Sequence, residues 1–215
     1  ARLPLDGTVE AVESFTRDDL REYHAAHIAP GLMRVAMVGG IDSIQQAADA
    51  LGAVFGDWQQ AVPDVVPAQE VARPDRLRRD DRVIPGKSQS NIVMAMPTIP
   101  RSHEDYYAVN VANVILGQLG LMGRLGASVR DAQGLAYHVS SSLSPGEVSS
   151  LWTARAGVDP ANVDRTVAGI LAEVRRLQEE PVSDDELADA KTYIVGSLPL
   201  SLESLGGVSD LLLSI

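Results

Sequence analysis

Apolar residues recur at helical spacing in some stretches of this chain and crowd into short runs in others. Thr16-Arg-Asp-Asp19 has the form of a capping box, with Thr16 as N-cap and Asp19 at N3 in place of the more usual Glu. A helix to about Ala26 follows, ended by Pro30-Gly31. Met33 to Val38 is an apolar run closed by Gly39-Gly40, which reads as a short buried strand. After Asp42, the residues Ile44, Ala47, Ala48, Leu51 and Val54 share one helical face as far as Phe55. The pattern predicts a helix–strand–helix unit over residues 16–58.

Periodicity fades over residues 59–76, where Pro63, Pro67 and Pro74 mark a linker or domain boundary. Leu77–Ile84 and Ser88–Met96 then read as strands on either side of Pro85-Gly86-Lys87. Ser102 is placed to cap a helix from His103 to about Leu116. Glycines at 117, 120, 123 and 126 interrupt the chain before a short helix at 125–132. Ala136–Leu143 and Ser150–Gly157 are rich in β-formers and flank the turn Ser144-Pro-Gly-Glu147, so an antiparallel hairpin is expected. Asp159-Pro160 opens a helix to about Gln178. A second capping box, Ser183-Asp-Asp-Glu186, begins one to about Leu198, and another runs from Leu200 to the end. Strands followed by several helices make the fold class α+β rather than a doubly wound sheet.

Composition narrows the partners. Hydrophobic residues make up 45% and aromatics only 4%, so the core is built from Leu, Val, Ile and Ala. The net charge of −11 argues against nucleic acid and anionic membranes, and is compatible with a basic or unfolded peptide. With no cysteine, disulfides and thiolate metal sites are excluded. No apolar run reaches the roughly 18 residues of a membrane span. The chain begins at Ala1 without a signal-peptide pattern, so a fragment or processed piece of a soluble protein is expected, its compartment open.

Candidate chemistry is sparse. His24 and His27 lie three apart on a predicted helix and could share a metal, but no carboxylate completes the set. His103-Glu-Asp-Tyr-Tyr107 falls short of the H-E-x-x-H zinc helix because Tyr107 replaces the second histidine, and the inverted form H-x-x-E-H is absent. Gly117-Gln-Leu-Gly-Leu-Met-Gly123 lacks the Gly-Lys-Ser/Thr ending of a phosphate loop, so close packing or a peptide-facing loop explains it better. Ser140, Ser141 and Ser142 lie in a strand without a nucleophile elbow, as a solvated strand face would. Arg130 and Tyr137 remain: a planar fork of donors and a phenol, on either side of Gly134. They could hold a carbonyl or an oxyanion from two directions, or be a surface cation and a half-buried tyrosine.

Several segments, taken in order, carry a resemblance. They are Phe15-Thr-Arg-Asp-Asp-Leu20, Phe55-Gly-Asp-Trp58, Asn113-Val-Ile-Leu-Gly117, Gly123-Arg-Leu125, Val129-Arg130, Gly134-Leu-Ala-Tyr137, Gly157-Val-Asp-Pro160 and Val182-Ser-Asp-Asp-Glu-Leu-Ala-Asp-Ala-Lys191. In this order and spacing the chain resembles the C-terminal, non-zinc part of pitrilysin-type zinc metallopeptidases, the M16 inverzincins. Mitochondrial processing peptidase and insulin-degrading enzyme belong to that group. His138 departs from a common Ser, and Gln118-Leu119 interrupt the glycine run.

The resemblance implies a mixed, largely antiparallel sheet with helices packed on one face. It implies that residues 1–58 resemble the end of a preceding repeat domain, and 77–215 a second, substrate-binding repeat that lacks its own closing unit. Residues 32–39 would then fill the vacant sheet position, within one chain or by exchange between two. Arg130 and Tyr137 would bind the peptide near the scissile bond. No cofactor is expected in this fragment; zinc would belong to the full-length protein or a partner subunit. The partners implied are a peptide substrate and a zinc-bearing domain of the same family, in a homo- or heterodimer. A non-catalytic assembly subunit of the same fold is the competing expectation.

Overall fold

The computed structural model describes residues 7–64 and 74–214. In chain order its elements are helices α1 (Val9–Ser14), α2 (Arg17–His27) and α3 (Ile44–Phe55), strand β1 (Ser90–Thr98) and helix α4 (Tyr106–Asn113). There follow strands β2 (Ala136–Ser144) and β3 (Ser150–Val158), then helices α5 (Val163–Glu179), α6 (Asp184–Ser201) and α7 (Leu205–Ser214). The chain divides into two compact units, residues 1–66 with 199–215, and residues 67–198. The expected linker at 59–76 lies partly outside the described residues.

In the first unit the capping box is formed as the sequence predicts. The Asp19 N–H donates to Thr16 Oγ1 at 3.2 Å, and the Thr16 N–H donates to Asp19 Oδ2 at 2.8 Å. Bonds from the Thr16 side chain and backbone hold the Asp19 carboxyl below the usual carboxylate range. Ser43, not Asp42, caps α3, accepting the Gln46 N–H at 3.1 Å. Residues 33–38 form no strand, contrary to the expectation, and the described sheet takes no strand from them. An apolar run with extended backbone becomes a strand only when a neighbour takes up its N–H and C=O groups. Here the Ala36 carbonyl receives instead a side-chain bond from Ser209 of α7, at 3.5 Å.

The second unit holds a three-stranded antiparallel sheet in the order β1-β3-β2. Ile92, Val139, Ala154, Ala156 and Val158 line one face of it and pack against Leu116, Leu125, Val129, Leu135 and Ile170. Each fully buried Leu, Ile or Val side chain contributes roughly 1.5–3 kcal/mol to holding the helices on that face. A smaller cluster of Val114, Ile115 and Ala190 continues the packing toward α6. Helices on one face of a strand-paired sheet make this an α+β fold, as expected.

Several local expectations are corrected. Leu77–Ile84 is not a strand: Val83 is 93% exposed, and the charges between its apolar residues pair along the segment, Arg79 with Asp81 and Arg82 with Asp80. Ser102 does not start a helix; the N–H of Asp105 donates to His103 Nδ1 at 3.1 Å in a turn, and α4 begins at Tyr106. The helix does not reach Leu116 in α form, because Val114–Gln118 widen into a π-helical turn. The segment Gly126–Ala132, expected as a short helix, is also π-helical.

Candidate functional site

Arg130 sits on the π-helical segment Gly126–Ala132, between the fully buried Val129 and the end of the helix. That end is closed by Gly134 at φ +62°, whose N–H donates to the Arg130 carbonyl at 2.9 Å, while the Leu135 N–H reaches the Val129 carbonyl at 3.0 Å. A left-handed glycine at this point satisfies the last carbonyls and turns the chain into β2. Leu135 and Ala136 point into the core, which pins the turn at its far side.

Tyr137 then occupies a β-bulge. Ala136 pairs with Val158 and His138 with Gly157, so Tyr137 is the extra residue between two registered pairs. A bulge bends the strand and re-aims the side chain it carries. Tyr137 is consequently 81% exposed in a strand whose neighbours Ala136 and Val139 are buried. Its ring lies under the Arg130 guanidinium, with the Arg130 Cζ 5.9 Å from the ring centroid. Among the described residues neither side chain is held by a carboxylate. The His138 ring stands edge-on to Tyr137 at 6.5 Å and, with the end of Gln89, occupies the space that a side chain at Gly157 would need.

The arrangement presents an arginine fork and a phenolic O–H from one patch of surface. Both are hydrogen-bond donors toward a carbonyl or an oxyanion, and the cation also holds the ring in place. The sequence marked both residues. It did not mark the bulge, although a strand that buries both Ala136 and Val139 must break its two-residue alternation between them.

The start of the same helical segment carries an ion pair that sequence reading missed. Arg124, only 6% exposed, donates through Nε to Glu186 Oε1 at 2.6 Å and through Nη2 to Glu186 Oε2 at 2.9 Å. Glu186 also closes the second capping box, accepting the Ser183 N–H at 2.8 Å while its own N–H donates to Ser183 Oγ at 3.2 Å. The Arg124 bonds, with help from the capping box, hold the Glu186 carboxyl down at about 2. Partners 62 residues apart leave no local signal.

The remaining candidates resolve into packing. A Cβ on Gly117 would meet the Ser141 backbone nitrogen at 2.7 Å, and one on Gly126 would strike the Gly120 carbonyl, so the glycine run permits close approach. Of the three serines Ser140 and Ser142 are exposed, as a solvated strand face requires, with Ser142 also bonding Thr153 at 2.8 Å; Ser141 is buried, its Oγ donating to the Asn113 carbonyl at 3.4 Å. The His24 ring stacks on Trp58 and the His27 ring tilts against Tyr23. Among the described residues no group of three or more His, Asp or Glu side chains could hold a metal ion, so these residues do not fit a zinc centre. No helix among them is long and apolar enough to cross a membrane.

The profile of the family described as peptidase M16 inactive domain matches residues 14–194, and the chain belongs to that family. It is 29% identical over 210 residues to an uncharacterized zinc protease of Streptomyces coelicolor, covering 96% of this chain and 46% of that protein. The chain thus spans about half the length of the curated relatives it matches. In fold it is similar to the peptidase M16 inactive domain from Pseudomonas fluorescens, with a TM-score of 0.80 at 24% identity over 97% of this chain and 48% of the other. It is also similar to a chain of complex III from Candida albicans bound to Inz-5, with a TM-score of 0.68 at 20% identity over 98% of this chain and 51% of that one.

Proposed function

We propose that this domain binds a peptide substrate for a zinc metalloendopeptidase whose zinc lies outside the described residues, in the parent chain or in a partner subunit. The observation that carries the reading is the Arg130–Tyr137 pair, held by a left-handed glycine on one side and a bulge on the other. Both groups donate outward, as recognition of a backbone carbonyl requires. The cation stacked on the ring brings both donors to one place, so their contribution is realised in orienting the peptide. Relatives that carry the name zinc protease at about twice this length support a catalytic centre elsewhere in the whole protein.

The test combines the domain with a family partner bearing H-x-x-E-H and follows cleavage of an unstructured peptide. Arg130→Ala or Tyr137→Phe should lower kcat/KM by about tenfold or more, the scale of losing one positioned donor. Unchanged cleavage in both variants would favour the second reading, an assembly subunit of the same fold. The likeness to a chain of complex III supports that second reading.

A further inference from the structure

Among the described residues, the face of the sheet opposite the core carries one fixed charge, and no carboxylate pairs with it. Arg155 lies in the middle of β3, the central strand, paired in register with Val93 on β1 and Ser140 on β2. Cross-strand partners share a face, so Val93 and Ser140 are its immediate neighbours, and the exposed Val93 (63%) and Ser140 show that the face is open at this row. The next rows on that face hold Asn91 with Gly157 and His138 on one side, and Ala95 with Thr153 and Ser142 on the other. None is a carboxylate. Among the described residues Arg155 makes no ion pair, although an acidic residue at 93 or 140 would have been the ordinary way to offset a cation there.

Its surroundings are suited to an incoming anion. Ser140 supplies a hydroxyl at the strand position paired with Arg155, and the His138 ring and the end of Gln89 stand over Gly157, one row nearer the bulge. A planar guanidinium on an open strand face can take a carboxylate through two parallel N–H donors. The spacing ties it to the patch already described. His138, next to the bulged Tyr137, opposes Gly157, and Arg155 is two residues further along β3, about 7 Å at the strand rise of roughly 3.4 Å per residue. An extended peptide crosses that distance in about two residues.

Resting on the peptide-binding reading of Arg130 and Tyr137, we propose that Arg155 is a specificity-determining residue that selects an acidic side chain. The selected residue lies about two residues from the peptide bond held at that pair. The occupant is thus an extended peptide with a Glu or Asp at one defined position. The chain's overall charge of −11 disfavours acidic peptides at long range, so the preference is local to that position.

The experiment measures binding of this chain to labelled peptides of one neutral sequence by fluorescence anisotropy at low salt. A single Glu is moved to successive positions, with Gln and Lys at the same positions as controls. One position should favour Glu over Gln by about threefold to tenfold, and added salt should shrink the ratio. Arg155→Gln should bring that ratio to one, and Arg155→Glu should turn it in favour of Lys. A Glu preference that survives Arg155→Gln, or none at any position, overturns the proposal.

Binding that ignores Arg130→Ala and Tyr137→Phe while the ratio still follows Arg155 would remove the earlier reading and leave this one. Binding that falls in those variants with no Glu preference would do the reverse. Failure of every peptide to bind would remove both.

Discussion

Arg124 and Glu186 face each other through two nearly parallel hydrogen bonds of 2.6 and 2.9 Å, one of them from a side chain almost wholly removed from water. The pair joins the start of the helix that carries Arg130 to the first turn of α6. The Glu186 carboxyl titrates at about 2 in the folded chain against an ordinary 4.5. A depressed folded value stabilises above the unfolded one, so the contribution is fully present above about pH 5. It is lost as pH falls from there toward 2, on the order of 2 kcal/mol after allowance for partial exposure. Urea melts between pH 6 and pH 3 should show this loss, and Glu186→Gln should flatten the profile in that window.

Removing one member of the pair should cost more than removing both. Glu186→Ala leaves a buried guanidinium uncompensated and should destabilise by about 3–5 kcal/mol. Arg124→Met with Glu186→Leu should recover a large part of that. Chemical denaturation of Arg124→Met, Glu186→Leu and the double variant measures the coupling directly.

Gly117→Ala tests the close approach of the glycine run to β2. The new methyl would meet the Ser141 nitrogen and Oγ at 2.7 Å and the Leu125 Cδ1 at 2.8 Å, and the backbone atom among them cannot swing away. A loss of about 1–3 kcal/mol is expected, read as a lower melting temperature. At Gly134 a Cβ meets nothing within 4 Å, and only the positive φ opposes it, so Gly134→Ala should cost about 1–2 kcal/mol.

Arg130→Ala and Tyr137→Phe should separate function from stability. Both side chains stand at the surface, and the phenolic O–H makes no bond within the described chain. Unfolding free energies should stay within about 0.5 kcal/mol of the parent for Tyr137→Phe, while peptide affinity falls. Equal losses of stability and affinity would show that the pair only shapes the turn.

Leu125→Ala is the control in the opposite sense. Leu125 is fully buried between the helix and the sheet, so the cavity left should cost about 2–5 kcal/mol. Peptide binding to the remaining folded fraction should keep its dependence on Arg130.

Features closed within a few residues are legible in the chain alone. Both capping boxes, Thr16 with Asp19 and Ser183 with Glu186, form as their spacing predicts. The β2–β3 hairpin follows from its turn, and the α+β class from the order of elements. Arg130 and Tyr137 were legible as a pair because Gly134 stands between them and the surrounding segments resemble one family. Tertiary structure decided whatever needs a distant partner. Met33–Val38 and Leu77–Ile84 have strand-like composition, yet without a ladder neighbour neither becomes a strand. The bulge that lifts Tyr137 out of the sheet depends on β3, the Arg124–Glu186 bond spans 62 residues, and the isolation of Arg155 depends on which residues β1 and β2 bring beside it. The physical reason is the same in each case: caps and turns are satisfied by neighbours in sequence, whereas ladders, buried ion pairs and open faces are satisfied, or left unsatisfied, only by neighbours in space.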